Sequence, residues 1–335
     1  MADIASLAGV SVSTVSRALA GHLRVKQQTR ERIAELARSL NYSMHLGAQN
    51  LRLRQQPTPQ TVAVLLDAAQ PQPLRDAWLL GLIGSLADAL GAQGLQLQLC
   101  RADAQPGTSL AELTQRSQVL GLVLLGNWVQ QSTLATLATL ATPPLPQVAW
   151  GQPQAGRATV GFDERAVGKM ATAHLLAGGA HRVLFLGDGG RPETRLRLEG
   201  YQQAHRLAGL TPDPALTQRQ PQATDAAARA LHTLLAQRLA VDAVFAADDL
   251  LAISVLCALH QAGLQRPGSS RLAVVGCGDI AAAQPTWPSL SSVRLPLANA
   301  GPALLQSLYG QRAGQALTAL LLAPELIVRD SSRSP

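Results

Sequence analysis

The sequence predicts a protein in two parts: a small all-α module at the N-terminus, then a larger α/β body of two parallel-sheet subdomains. Three observations carry that reading. The first 40 residues hold three short helical patterns, apolar runs of strand length alternate with helical stretches from residue 61 onward, and 335 residues suffice for two or three globular units. The composition, 47% hydrophobic and 15% charged, suits a folded chain. The sequence contains no run of about 18 apolar residues and no basic-then-apolar leader, so neither a membrane span nor a secretory signal is expected, and a cytoplasmic location is.

The module divides into helical patterns over 2–8, 12–19 and 27–40, the last marked by Ile33, Leu36, Ala37 and Leu40 at helical spacing. Gly9 suits a sharp turn, and Ser11 can cap the following helix through its side-chain oxygen. This is a helix-turn-helix with a supporting third helix. If Ile4, Leu7, Ala8, Val10, Val15 and Leu19 form its small core, Val12, Ser13, Ser16 and Arg17 lie on the outer side of the second helix. Short side chains there permit close approach to a major groove, and Arg can bond a guanine edge bidentately. The same pattern also fits an ordinary helical hairpin with a solvated polar face.

Charge separates these alternatives. Residues 1–54 carry eight Arg or Lys against three Asp or Glu, leaving +5 of the total +7 in that segment. A basic module before a nearly neutral body is the footprint of nucleic-acid binding, although an acidic partner or membrane surface would also suit it.

Residues 44–60 end in polar residues and two prolines, as a linker should, yet Leu46, Ala48, Leu51 and Leu53 are too apolar for a passive tether. They suit a short helix that needs a partner. Strand-like runs follow at 61–66, 95–100, 120–125, 145–150, 182–187, 241–247 and 272–276, with helical stretches at 76–94 and 248–263 between them. The run "LATLATLAT" at 134–142 reads as an Ala-rich helix. In such sheets a ligand is expected in the crevice at the carboxyl ends of the strands.

The stretches "DIASLAGVSVSTVSRAL" (3–19), "TRERIAELARSLNY" (29–42) and "AQNLR" (48–52), with "VGFDERAVGKMATAHLL" (160–176), "RLEGYQQA" (197–204) and "VVGCGD" (274–279), give the chain a resemblance to the lactose-repressor family of bacterial transcription regulators. The likeness covers nearly the whole chain. It implies a headpiece at 1–43, a hinge helix and linker at 44–60, and a periplasmic-binding-protein-like body at 61–335. The body's N-subdomain would take 61–157 and 288–318, its C-subdomain 158–287 and 319–335. A homodimer would read two half-sites of double-stranded operator DNA, acting as a repressor under control of a small effector. By motif, Val12 and Ser13 take the family's specificity positions and Arg17 contacts a base, while Ser11, Thr14, Ser16 and Thr29 meet phosphates. Ala48, Gln49 and Leu51 fall in the hinge, with Leu51 as the wedge that enters the minor groove. Dimerisation is expected to use body helices, with Leu251, Val255 and Leu259 as candidates. "MAD" starts several residues short of the usual family beginning, which implies a start upstream of Met1.

The same carry-over places Leu74, Arg75, Arg191, Arg197, Asp248 and Gly278 around the effector, commonly a sugar in this family. Gly278 replaces an Asp that often bonds sugar hydroxyls. Losing that acid while presenting Arg75 and Arg191 points to an anionic ligand, a sugar acid such as gluconate, and "GCGD" with "VGFD" resembles the gluconate-repressor branch. Arg75 could instead face solvent or pair with Asp76 or Asp103. A sugar-binding module without a DNA role is the alternative function. An enzyme is not expected: "GDGG" (187–190) lacks the phosphate-loop pattern, and Asp248-Asp249 before an apolar helix suits capping better than acid catalysis. No cofactor or metal is expected, since His174 and His181 lack further ligands at metal spacing and Cys100, Cys257 and Cys277 form no CxxC pair.

Overall fold

The computed structural model describes residues 2–19, 25–39, 61–67, 77–102, 119–126, 145–219, 241–263 and 272–333. The expected helix at 134–142 lies outside these residues. The chain separates into two units, Met1–Pro59 and Gln60–Pro335.

Among the described residues the first unit forms three helices, α1 (Ala2–Ala8), α2 (Val12–Leu19) and α3 (Gln27–Ser39). Ile4, Ala5 and Ala8 of α1 pack with Val15 and Ala18 of α2, Ile33 and Ala37 of α3, and Val25. Leu7 is not in this core; it is 55% exposed. The buried arc of α1 is centred on Ile4, Ala5 and Ala8, and the i+3 position from Ile4 turns away from it. The turn after α1 has a mechanical cause. Gly9 adopts φ +64°, which lets Val10 N–H reach Ala5 O at 3.0 Å and Gly9 N–H reach Ser6 O at 3.3 Å, a Schellman closure of the helix end.

Among the described residues the second unit holds two six-stranded sheets. The first comprises β1 (Thr61–Asp67), β2 (Gln96–Ala102), β3 (Val119–Leu125), β4 (Gln147–Trp150), β5 (Ala158–Phe162) and β11 (Ala319–Leu322), in the order β11-β5-β4-β3-β1-β2. The second comprises β6 (Val183–Gly187), β7 (Thr217–Arg219), β8 (Ala243–Ala246), β9 (Ala273–Gly278), β10 (Ser291–Arg294) and β12 (Glu325–Ile327), in the order β12-β10-β9-β8-β6-β7. Pairing is parallel throughout except between β10 and β12. Every residue of β3 is buried, as a central strand covered on both faces requires.

Helices α4 (Ala77–Gly91) and α8 (Ala300–Arg312) pack together in the first half, and their apolar faces close the core built on Val62, Val64 and Val123. In the second half, α5 (Glu164–Ala177) lies against α6 (Pro192–Leu207), and α7 (Asp249–Gln261) lies against β8 and β9. Leu251, Val255 and Leu259 all sit in the core beneath α7, so they are not the dimer surface expected of them. Their helical spacing marks a buried stripe, and that stripe faces the protein's own sheet.

Among the described residues the chain crosses between halves three times: after Phe162, between Arg294 and Ala300, and between Leu322 and Glu325. These crossings differ from the expected boundaries. Residues 158–162 pair in the first sheet with β4 and β11, residues 291–294 pair in the second, and 319–322 return to the first. Strands of four or five residues beside a crossing carry no pattern that assigns them to one sheet, and only their register does so. Trp78, Trp150, Leu297 and Leu322 pack against the cores of both halves, which locates the interface between halves at the carboxyl ends of β4 and β11.

Candidate functional site

The short second helix of the first unit presents two chemically different sides. Val15 and Ala18 face the core, while Ser13 and Arg17 are exposed and Val12 is 43% exposed. At 100° per residue, positions 12, 13, 16 and 17 fall on one arc of α2, opposite the buried pair. Ser16 belongs to that arc by position; its side chain is outside the described set. Ser11 ends the preceding turn and caps α2, its hydroxyl accepting from Thr14 N–H at 3.2 Å. The same oxygen lies 2.8 Å from Ser13 Oγ and 2.9 Å from Thr14 Oγ1, so three hydroxyls form one chain at the helix N-terminus. Thr29, half-buried in the first turn of α3, donates its N–H to Lys26 O at 3.0 Å, with Lys26 exposed beside it. Hydroxyls and backbone N–H groups at the two helix starts, with Arg17 on α2 and Lys26 before α3, are groups of the kind that bond phosphate and base edges. Ala48, Gln49 and Leu51 lie outside the described residues.

In the second unit, the carboxyl ends of β6, β8 and β9 converge. A Cβ on Gly187 would stand 2.5 Å from Thr194 Cγ2 and 2.9 Å from Ala247 Cβ, so the strand end can approach α6 and β8 only as glycine. Helices α5 and α6 meet more closely still: a Cβ on Gly168 would lie 1.8 Å from Arg197 O, and one on Gly200 would lie 2.1 Å from Arg165 O. That backbone contact presses the start of α5 against α6 and brings Glu164 to Arg197.

Arg197 Nε donates to Glu164 Oε2 at 2.6 Å, with the side chains 11% and 5% exposed. Its Nη1 donates to Ala247 O, next to Asp248. Burial pushes the Glu164 carboxyl above its usual range, and Arg197 pulls it back down. Cys277, next to the last residue of β9, is beside this pair, and burial pushes its thiol up to about 12. It is therefore a neutral neighbour, and Glu164 is the counter-charge of Arg197.

Asp248 is the N-cap of α7, accepting from Leu251 N–H at 2.8 Å. Asp249 is buried; its Oδ1 accepts from Ser292 Oγ at 2.6 Å and its Oδ2 from Ile280 N–H at 2.9 Å. Burial raises its carboxyl above the usual range against these two bonds. Gly278 takes φ +127°, and a Cβ there would come within 3.4 Å of Asp249 Oδ2. The following Asp279 is paired with two arginines, bonding Arg329 Nη2 at 2.6 Å and Arg294 Nη2 at 2.7 Å. Arg191 occupies the N-cap position of α6, its Nε 4.0 Å from Glu193 Oε2. Leu74 and Arg75 lie outside the described residues.

The structure thus brings Arg197, Asp248 and Gly278 to adjoining strand ends. It adds residues that sequence reasoning passed over. Glu164 is 33 residues from its partner and reads in the sequence only as a first-turn acid. Trp78, Trp150 and Phe162 form an aromatic row, with centroids 5.7 Å and 4.9 Å apart, and their wide spacing hides it. Buried Asp67 ends β1, where a Cβ on Gly126 would touch it at 2.5 Å. His174 Nε2 lies 2.8 Å from Ser332 Oγ, and His181 Nδ1 lies 2.8 Å from Gly179 O. Among the described residues, no group of three or more His, Cys, Asp or Glu is placed to hold a metal, and no helix is long and apolar enough to cross a membrane.

Residues 1–44 match the family described as bacterial regulatory proteins, lacI family, and residues 172–332 match the periplasmic binding protein-like domain. The Ribose operon repressor of Escherichia coli K12 is 28% identical over 99% of both chains. A solved transcriptional regulator CelR–cellobiose complex is similar over 98% of each chain, with 26% identity and a TM-score of 0.67. The transcription regulator GntR from Chromobacterium violaceum is 29% identical, with a TM-score of 0.66, over 81% of this chain and 99% of that one.

Proposed function

We propose that the chain is a DNA-binding regulator of the lacI type, in keeping with the match of residues 1–44 and with its regulator relatives, and that its own residues do the work as follows. The second helix enters the major groove of an operator half-site, with Arg17 reading a base and Val12 and Ser13 setting preference around it. Ser11, Thr14, Ser16 and Thr29 hold the register on phosphates, and Ala48, Gln49 and Leu51 supply the minor-groove contact. The observation that carries this reading is the outward Val12–Ser13–Arg17 arc, opposite the buried Val15 and Ala18. A homodimer in the cytoplasm acts as a repressor, and a small effector bound between the halves of the body changes its hold on DNA. Allostery of that kind is reciprocal, so a ligand that loosens operator binding binds the operator complex more weakly.

The apolar surface for the dimer is the exposed set Leu250, Ile280 and Trp287. Leu250, Ile280 and Trp287 are exposed, Trp287 to 75%, and Ile280 N–H bonds the carboxylate of Asp249, the residue before Leu250. The effector is of sugar type, as the cellobiose complex and the ribose repressor among the relatives suggest. The expected preference for a sugar acid finds less support, since Arg197 already faces Glu164 and Arg191 stands near Glu193. Arg197, Asp248 and the backbone at Gly278 better suit a neutral sugar. Gel shifts with DNA from upstream of the protein's own gene test the regulator: a sequence-selective, salt-sensitive complex is expected, and equal binding to random DNA would refute it. Calorimetry with neutral sugars against aldonates tests the effector class, and tight binding of an aldonate alone would restore the acid.

A further inference from the structure

The guanidinium of Arg197 cannot lose its proton, and it lies almost wholly inside the protein. It is held from both sides. Nε meets Glu164 and Nη1 meets Ala247 O, while Nη2 has no partner among the described residues. Neither partner can swing away easily. Glu164 is the first residue of α5, Arg197 stands in α6, and the two helices touch backbone to backbone at Gly168 and Gly200. Behind Glu164 the chain is tied as well: Asp163 N–H donates to Leu322 O at 3.1 Å, and Asp163 Oδ1 accepts from Ala166 N–H at 2.9 Å.

Resting on the reading of these strand ends as the effector site, we propose that Glu164 is a specificity-determining residue which cancels the charge of Arg197 and selects a neutral polyhydroxylated ligand over the corresponding sugar acid. A carboxylate arriving at Nη2 meets the attraction of one buried charge and the repulsion of another at similar range. A hydroxyl takes the same N–H donor and gives up almost nothing to that repulsion. Charges about 5 Å apart in a partly buried site shift binding by roughly tenfold to a hundredfold, which is the discrimination expected from this one carboxylate.

The test compares the wild-type protein with Glu164→Gln and with the double variant Glu164→Gln/Arg197→Gln. The probes are inorganic phosphate and the matched pairs D-ribose with D-ribonate and D-glucose with D-gluconate, read by calorimetry and thermal unfolding. The wild type is expected to favour the neutral member of any pair it binds and to show no Arg197-dependent stabilisation by phosphate. Glu164→Gln should gain at least tenfold for phosphate or an aldonate, and the double variant should lose that gain. Equal phosphate response in the wild type and Glu164→Gln would overturn the proposal. If Glu164→Gln does not fold, the wild type decides. Preference for an aldonate, or phosphate stabilisation that Arg197→Gln removes, overturns the idea, and the absence of both supports it. Operator binding measured on the same preparations separates the two questions, because its loss would speak against the regulator and not against Glu164.

Discussion

Replacing Gly168 by Ala tests whether the α5–α6 contact builds the effector end of the body. The added Cβ would sit 1.8 Å from Arg197 O, 2.7 Å from Arg197 C and 2.9 Å from Arg197 Cα, all backbone atoms that no rotamer change can move. Reaching an ordinary contact needs the helices to part by roughly an ångström or more. Overpacking of a rigid site costs about 1–3 kcal/mol. Parting the helices also stretches the 2.6 Å Glu164–Arg197 pair, and disrupting a buried pair costs up to about 3–5 kcal/mol. A loss of about 3 kcal/mol or more is therefore expected, a large share of a typical stability of about 5–15 kcal/mol. Urea unfolding followed by tryptophan fluorescence should show a midpoint lower by roughly 1 M. Sugar binding by the folded variant should weaken at least tenfold. A midpoint within about 0.2 M of wild type, with sugar binding intact, would refute the reasoning.

Three further outcomes follow from other parts of the body. Asp248→Ala removes the cap on Leu251 N–H and should cost about 1 kcal/mol in unfolding experiments; a variant as stable as wild type would show the cap to be idle. Asp249 has a native carboxyl raised by burial, so its contribution is complete below the unfolded value and is lost as pH rises through the folded one. Wild type should therefore gain stability relative to Asp249→Asn as pH falls from about 7 towards about 4, and a gap moving the other way would contradict the burial argument. Leu250→Glu and Trp287→Glu place charge on the exposed apolar set and should shift sedimentation from dimer towards monomer, while Leu207→Glu, exposed elsewhere on α6, should not.

Much of the fold was legible because its signals are local. The bounds of α1 and α2 follow from Gly9, Ser11 and the i, i+3, i+4 spacing, and the buried strands β1 and β3 follow from unbroken aliphatic runs. What escaped is non-local. Strands β5, β7, β10, β11 and β12 have three to five residues, too few for a periodic signal, and their register alone decides which sheet they join. The apolar stripe of α7 was visible, but a stripe does not say whether it meets its own sheet or another subunit. At the site, Asp248 read correctly as a cap because capping is local, whereas the pairing of Glu164 with Arg197 arises only where two glycines let helices touch.

The most direct test of the whole account is fluorescence anisotropy of the full chain on labelled upstream DNA, comparing wild type with Arg17→Ala across a salt series. If Arg17 reads a base, the variant should lose roughly 1–3 kcal/mol of discrimination at one operator position, with salt dependence largely retained. Unchanged discrimination at every operator position in Arg17→Ala would contradict the claim that the exposed face of α2 reads sequence.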